Sequence, residues 1–514
     1  MARESRVKKT LLNARMNMIC YFVVLIVSFF TRKIFLDKLG ADFMGLTSTL
    51  GGFLSFLNLA DLGVSNAVYF ILFKLVANDD KKRINEVISL FGYLYYNIGV
   101  FILGAGILFS FFLPAIFANT PFSLVTIYVG FYVYLCSSLI GYFVNYRCCL
   151  LYINQRGYIV RGYFQLTSTT KVLIQLLFAI YVRSFVLYFV IELVFGIINA
   201  MILNRKNNHL YPWLTLRIRT GNKLFRQYPE MIRYAWRSYI HSSSWVITSQ
   251  IIPILIYTYS SLSFVAFYNN YVQVVSRVSD FVSGILDSAD TGIGILIAEG
   301  DSQRIYSIYK ELFSVRFIVG GILALCIYHL ASPFISVWLG TQYVLSPLLV
   351  SLISLSFFLD FINGTTVRYL NLFGLVNDLW TAIVNVLSLG IVLVAGSHWG
   401  LAGILAASLA VSFPVMHLWK PYYLFSRALK LPYIQYVRLI CMNALPLVVA
   451  LIIALFIKNH LRSVPLSYNW GSWLLEAFAF FVSLSIPALL LAWFISSDVR
   501  IFAKRLTVWK QHLQ

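Results

Sequence analysis

The chain has 514 residues, of which 60% are hydrophobic, 17% aromatic and only 11% charged, and its mean hydropathy is +0.79. That balance excludes an ordinary soluble domain. The formal net charge of +21 would suit a nucleic-acid binder, but the basic residues sit in short connectors between apolar runs, which points to membrane topology and not to nucleic acid.

Apolar runs of about 18 residues or more each predict a membrane-crossing helix. In chain order they cover 15–36, 43–74, 87–115, 122–152, 163–182, 185–203, 234–259, 264–297, 313–336, 346–369, 378–396, 401–419, 438–457 and 472–495. The fold expected is therefore an all-α polytopic membrane protein of about 14 transmembrane helices. The basic N-terminus precedes a run of spanning length with no small-residue cleavage site, so it is read as the first span and not as a removable signal peptide. Pro114, Pro253, Pro414, Pro446 and Pro487 interrupt spans and are expected to kink them. Alternate connectors and the span ends beside them hold 28 of the 40 Lys and Arg, which places those connectors and both termini in the cytoplasm. No outer loop exceeds 14 residues, so no soluble domain is expected on either face. Cys20, Cys136, Cys148, Cys149, Cys326 and Cys441 all fall in or beside apolar runs and show no metal-ligand spacing.

The longest connector is strongly basic and divides the chain into halves of similar layout. The motif Ala77-x-x-Asp80-x-x-Arg83-Ile84 recurs as Ala298-x-x-Asp301-x-x-Arg304-Ile305, an offset of 221 residues. That offset spans six helices, an even number, so the two copies share one orientation and a twofold axis along the membrane normal is expected. The domain plan is a six-helix lobe over 1–203, a basic cytoplasmic linker over 204–233, a second six-helix lobe over 234–420, and two further helices with a tail over 421–514.

Ionisable side chains inside spans are the functional candidates, because a charge at the bilayer centre costs about 2.5–3.5 kcal/mol. The run 268–297 carries Arg277, Asp280, Asp287 and Asp290, which at about 100° per residue fall on one helical stripe. Two readings stand: Arg277 and Asp280 neutralise one another while Asp290 reaches the headgroups, or the stripe walls a wet cavity. Arg147 and Lys171 lie deeper than a headgroup anchor needs, and Arg32 sits towards the outer end of the first span. Arg15, Lys33, Lys74 and Arg316 read as snorkelling anchors. Asp61 shares a polar strip with Asn58 and Ser65, which either faces a cavity or bonds a neighbouring helix. Glu192, Asp360 and Glu476 complete the set. No histidine belongs to a metal or triad motif, so an enzyme is not expected.

The segment Thr31-Arg32-Lys33-Ile34-Phe35, then Leu39-Gly40-Ala41-Asp42-Phe43-Met44-Gly45-Leu46 and Phe56-Leu57-Asn58-Leu59-Ala60-Asp61-Leu62-Gly63, resembles the opening of Wzx-type polysaccharide (O-antigen) flippases of the multidrug/oligosaccharidyl-lipid/polysaccharide exporter superfamily. The resemblance implies a V-shaped pair of six-helix lobes plus two helices in the bacterial inner membrane, moving an undecaprenyl-diphosphate-linked oligosaccharide outward by alternating access. It implies membrane lipids and other polysaccharide-assembly proteins as partners, no cofactor, and H+ or Na+ as a coupling ion. Arg277, Lys171, Arg147 and Arg32 are then the cationic cavity residues, with Asp61, Asp280, Asp287 and Asp290 as charge partners or ion sites. The alternatives are a drug/cation antiporter of the same superfamily and an integral-membrane polymerase or glycosyltransferase.

Overall fold

A computed structural model describes residues 6–58, 63–154, 156–229, 233, 235–236, 239, 250–286, 293–294, 296–297, 301–375, 379–461 and 469–502. Asp61, Asp287 and Asp290 lie outside the described residues. The fold is all-α, and among the described residues nine helices are long and apolar enough to cross a membrane. The chain forms two compact units, Met1–Ala266 and Phe267–Gln514.

In the first unit the order is α1 (Arg6–Leu39), α2 (Ala41–Leu57), α3 (Val64–Ala77), α4 (Lys81–Ser110), α5 (Leu113–Ile116), α6 (Leu124–Phe143), α7 (Cys149–Ile153), α8 (Gly157–Tyr181), α9 (Phe185–Leu210) and α10 (Gly221–Gln227). An apolar helix α11 follows at Gln250–Tyr259. The long α12 (Leu262–Leu286) begins here and continues into the second unit.

Four residues of the motif at the start of the chain, Gly40, Asp42, Phe43 and Gly45, have packing roles. Gly40 links α1 to α2 at φ 87°, a left-handed conformation that a side chain disfavours. Phe43 is fully buried, stacking on Phe185 at 4.7 Å between ring centroids and meeting Tyr188 and Phe189 edge-on. Gly45 lies directly against the backbone of Leu262, where any Cβ would overlap the carbonyl. Lipid supplies no hydrophobic drive for helix association, so such close backbone approach is a main source of packing energy. Gly45→Ala is expected to push α12 off α2, at a loss of roughly 1–3 kcal/mol from overpacking, read as a lower melting temperature in detergent. Beside it the Ser263 hydroxyl donates to Asp42 across a separation of 221 residues.

Two expected spans divide. The run 43–74 becomes α2 and α3, with Asn58 capping the first. Its carboxamide oxygen accepts from Ser138 at 2.6 Å and Tyr142 at 3.2 Å, while Ser65 bonds Tyr95 at 2.5 Å. Asn58 and Ser65 thus serve helix–helix hydrogen bonds. The run 122–152 becomes α6, a 3-10 turn at Asn145–Cys148 and α7. The turn seats Tyr146, 4% exposed, against Phe91 and Tyr95.

The basic connector is laid along α4 as a strap. The amides of Thr215 and Arg217 donate to Asn85 Oδ1 at 2.8 Å and Ser89 Oγ at 3.0 Å. Lys81 lies 5.9 Å from the Trp213 ring centroid, and Gly221 presses on the Tyr93 side chain. Two extended residues advance about 6.6 Å and one helical turn of four about 6 Å, which keeps the pairs in step. Tyr228 Oη closes the strap by donating to Glu86 at 3.0 Å. Burial, and then the Glu86 bond, push this phenol up to about 12. A raised pKa means the stabilisation is complete below the ordinary tyrosine value near 10 and is lost as pH rises through 12. A bond to a charged acceptor is worth about 1.5–3 kcal/mol. Tyr228→Phe is therefore expected to speed trypsin cleavage in the strap by about tenfold or more, with the remainder of the fold intact.

The second unit contains most of α12, then α13 (Ser302–Trp338), α14 (Pro347–Leu372), α15 (Leu379–Phe413), α16 (Ile434–Leu461) and α17 (Trp470–Ile495). The repeated Asp-x-x-Arg-Ile motif is a helix start in both units. Asp80 and Asp301 each cap a helix by accepting from the amide of Arg83 or Arg304 at 3.1 Å, and Ile84 and Ile305 are buried on the first turn. α15 breaks at Gly400, φ 56°, between the two spans expected there, and wide π-type turns cover Pro414–Trp419 and Leu424–Leu429 on either side of an α-helical turn at Lys420–Tyr423. Pro114 starts α5 instead of kinking a span. The core of this unit gathers Tyr309, Phe313, Tyr369, Phe425 and Tyr436, with Tyr309 Oη 3.1 Å from Thr366 Oγ1.

Arg316 corrects a sequence expectation. It is 4% exposed, so it is no snorkelling anchor. Its Nη1 reaches the Phe361 carbonyl at 3.4 Å, the guanidinium carbon lies 5.4 Å from the Phe361 ring centroid, and Gly364 leaves room for it.

Candidate functional site

In the first unit the ionisable candidates gather on adjacent helices. Lys171 on α8 forms an ion pair with Glu192 on α9, Nζ to Oε1 2.6 Å, the side chains being 18% and 23% exposed. Gln175, one turn along from Lys171, donates to Glu192 Oε2 at 3.3 Å and to the Tyr188 carbonyl at 3.0 Å. Tyr188 is within electrostatic reach of both Glu192 and Arg32. Arg32 on α1 donates to the Ala266 carbonyl at 3.2 Å. Lys171 is thus neutralised at rest, and Glu192 is the residue that sequence reasoning left without a role. The signal was depth. Lys171 lies ten residues before the end of α8 and Glu192 seven after the start of α9, about 15 and 10 Å from the same hairpin turn.

Arg147 stands apart from that cluster, on the 3-10 turn after α6. Its guanidinium carbon is 5.7 Å from the Tyr146 ring centroid, and its buried Nε has no hydrogen-bond partner among the described residues. α6 and α9 run parallel, since Gly130 meets Phe189 and Ser137 meets Gly196 seven residues further on in both helices. The same register brings Asn145 level with Asn204, and among the described residues the buried Oδ1 of each also has no partner. Buried polar atoms of this kind are ordinarily satisfied by water.

In the second unit, one face of α12 is exposed and carries polar residues beside Phe281. Ser276, Asp280 and Gly284, four residues apart, are exposed, and Arg277 is half-buried beside them. The helix is 25 residues long, enough to cross hydrocarbon. Asp360, near the middle of the 26-residue α14, is likewise exposed. It has Ser356 as a side-chain partner and acts electrostatically on Tyr268 of α12. The sequence marks Asp360 only as an ionisable residue inside a span, because it has no charged neighbour one turn away. Among the described residues no group of His, Cys, Asp or Glu could hold a metal ion.

No family model matches the chain, and no curated protein matches it. Solved structures do. A lipid II flippase MurJ in an inward closed conformation aligns with a TM-score of 0.61 at 12% identity, over 92% of this chain and 98% of that one. An inward-facing multidrug resistance MATE family transporter of the MOP superfamily aligns with a TM-score of 0.55 at 14% identity, over 80% of this chain and 95% of that one. At such identities the likeness establishes architecture alone: this multi-pass membrane protein has the all-helical fold that those two structures share.

Proposed function

We propose that the chain is a flippase of the MOP superfamily, of Wzx type, which moves an undecaprenyl-diphosphate-linked oligosaccharide from the cytoplasmic to the periplasmic leaflet of the bacterial inner membrane. The observation that carries this reading is the α12 face, where Arg277 and exposed Asp280 interrupt a helix of membrane length. A diphosphate cannot enter hydrocarbon without its hydration being replaced, and a cationic wet face replaces it while the polyprenyl tail stays in lipid. The flippase likeness over 92% of the chain supports the same reading. Arg277 is the proposed diphosphate ligand, with Lys171, Arg147 and Arg32 as further cationic positions along the path. Asp280, Asp61, Asp287 and Asp290 are the proposed charge partners or H+ or Na+ sites, and Asp360 joins them. Alternating access, cytoplasmic termini, the two-lobe domain plan with its basic linker, and O-antigen or another surface polysaccharide as the product belong to the same proposal.

The test is transport of fluorescent undecaprenyl-diphosphate oligosaccharide in proteoliposomes, with no chain growth. Cargo that remains in its original leaflet overturns the reading. A second reading, a drug/cation antiporter, is favoured by the exposed carboxylates Asp280 and Asp360, since acids attract organic cations. Efflux of a cationic dye without movement of the lipid-linked cargo would establish it instead.

A further inference from the structure

The strap on α4 presents a surface that the transport path does not use. Its inward contacts are made by backbone amides, by Trp213 and by Tyr228. Its cations Arg219, Lys223 and Arg226 are exposed, and among the described residues they form no ion pair. Two acids at the start of α4 are already engaged: Asp80 pairs with Arg83 at 3.5 Å, and Glu86 accepts from Tyr228. On α10, Leu224 is buried while Phe225 between the cations is 37% exposed. Gly221, which opens α10, meets Tyr93, twelve residues into α4 from Lys81. α4 has 30 residues, about 45 Å at 1.5 Å per residue, against a hydrocarbon core of about 30 Å. The surplus of about ten residues puts α10 at the depth where α4 enters the bilayer, the level of the lipid phosphates.

We propose that Arg219, Lys223, Arg226 and Phe225 form a docking surface for anionic phospholipid of the leaflet on the connector side, with the three cations on headgroup phosphates and the ring at the acyl boundary. The partner is identified by charge and depth together. A cluster of exposed cations just outside a span attracts anionic lipid, with a gain of about fivefold in affinity per charge, and an aromatic ring between them favours an interface over a soluble anion. The strap explains why the connector holds this shape: its hydrogen bonds to α4 fix the backbone, so the cations stay at one level of the membrane.

The experiment uses the full chain in mixed micelles, with retained lipids counted by native mass spectrometry. The wild-type protein is expected to keep phosphatidylglycerol over phosphatidylcholine and to release it as salt rises from 50 to 500 mM, roughly as screening requires. Arg219→Gln/Lys223→Gln/Arg226→Gln is expected to lower phosphatidylglycerol retention by at least about tenfold, with an unchanged melting temperature in lipid-free detergent. Lys38→Gln/Arg183→Gln, which removes exposed cations elsewhere, is expected to have no such effect. Equal retention of the two lipids by the wild type, wild-type retention by the triple variant, or an equal loss in the Lys38/Arg183 variant would each overturn the proposal. Displacement of bound phosphatidylglycerol by soluble glycerol phosphate would overturn it too, by showing a free-phosphate site.

Discussion

Replacing Glu192 by Gln should lower the stability of the protein by about 3 kcal/mol, because it strands the Lys171 ammonium between two membrane helices. Removing one member of a buried ion pair generally costs 3–5 kcal/mol, most of it the uncompensated charge. The Lys171 and Glu192 side chains retain 18% and 23% exposure, which places the effect near the lower end. The same logic predicts a compensation. Lys171→Met in the Glu192→Gln background should recover most of the loss, since the charge that had no partner is gone and the substituted carboxamide can still accept from Gln175. A double-mutant cycle of melting temperatures in detergent checks both statements. Singles that are each mild and strictly additive would show that the pair contributes little and that Lys171 is available to cargo at rest. If the doubly neutral protein is stable yet transports poorly, Lys171 acts in the cycle and Glu192 holds it between events.

Lys171 also shows how far sequence reading reaches in such a chain. Its depth was readable, because hydropathy fixes where a helix enters the bilayer and 1.5 Å per residue does the rest. Its partner was not, because an ion pair between helices depends on rotation about each axis, and that is set by packing. Asn58 and Ser65 make the same point: the sequence puts both on one strip, and with α2 ending at Asn58 the first bonds α6 and the second α4. Arg316 erred the other way. Apolar sequence cannot tell a residue near a lipid-facing end from one held beneath a neighbour, and only the contact with Phe361 and the gap at Gly364 distinguish them. The all-helical class and the split near Gly400 were legible because they follow from composition and from backbone freedom. The repeated Asp-x-x-Arg-Ile motif was legible as a repeat, and its meaning as two equivalent helix caps needed the structure.

Arg277→Ala should reduce transport of the lipid-linked cargo by about ten- to a hundredfold while leaving the melting temperature nearly unchanged. The size follows from one lost charge-assisted hydrogen bond to phosphate, about 1.5–3 kcal/mol, at about 1.4 kcal/mol per tenfold. The absence of a stability change follows from geometry, since Arg277 is half-buried beside the exposed Ser276 and Asp280 and removing it opens no core cavity. Arg277→Lys should fall between the two, because an ammonium keeps the charge and loses the planar fork that grips two oxygens. Asp280→Asn separates the remaining roles. If Asp280 only holds Arg277, the asparagine should weaken transport at every ion gradient. If it takes up H+ or Na+, transport should lose its response to the gradient and persist at a low, undriven rate. Initial rates in proteoliposomes with and without an imposed gradient distinguish these outcomes. Full transport by Arg277→Ala would remove the α12 face from the cargo path, and with it the main support for a cationic groove.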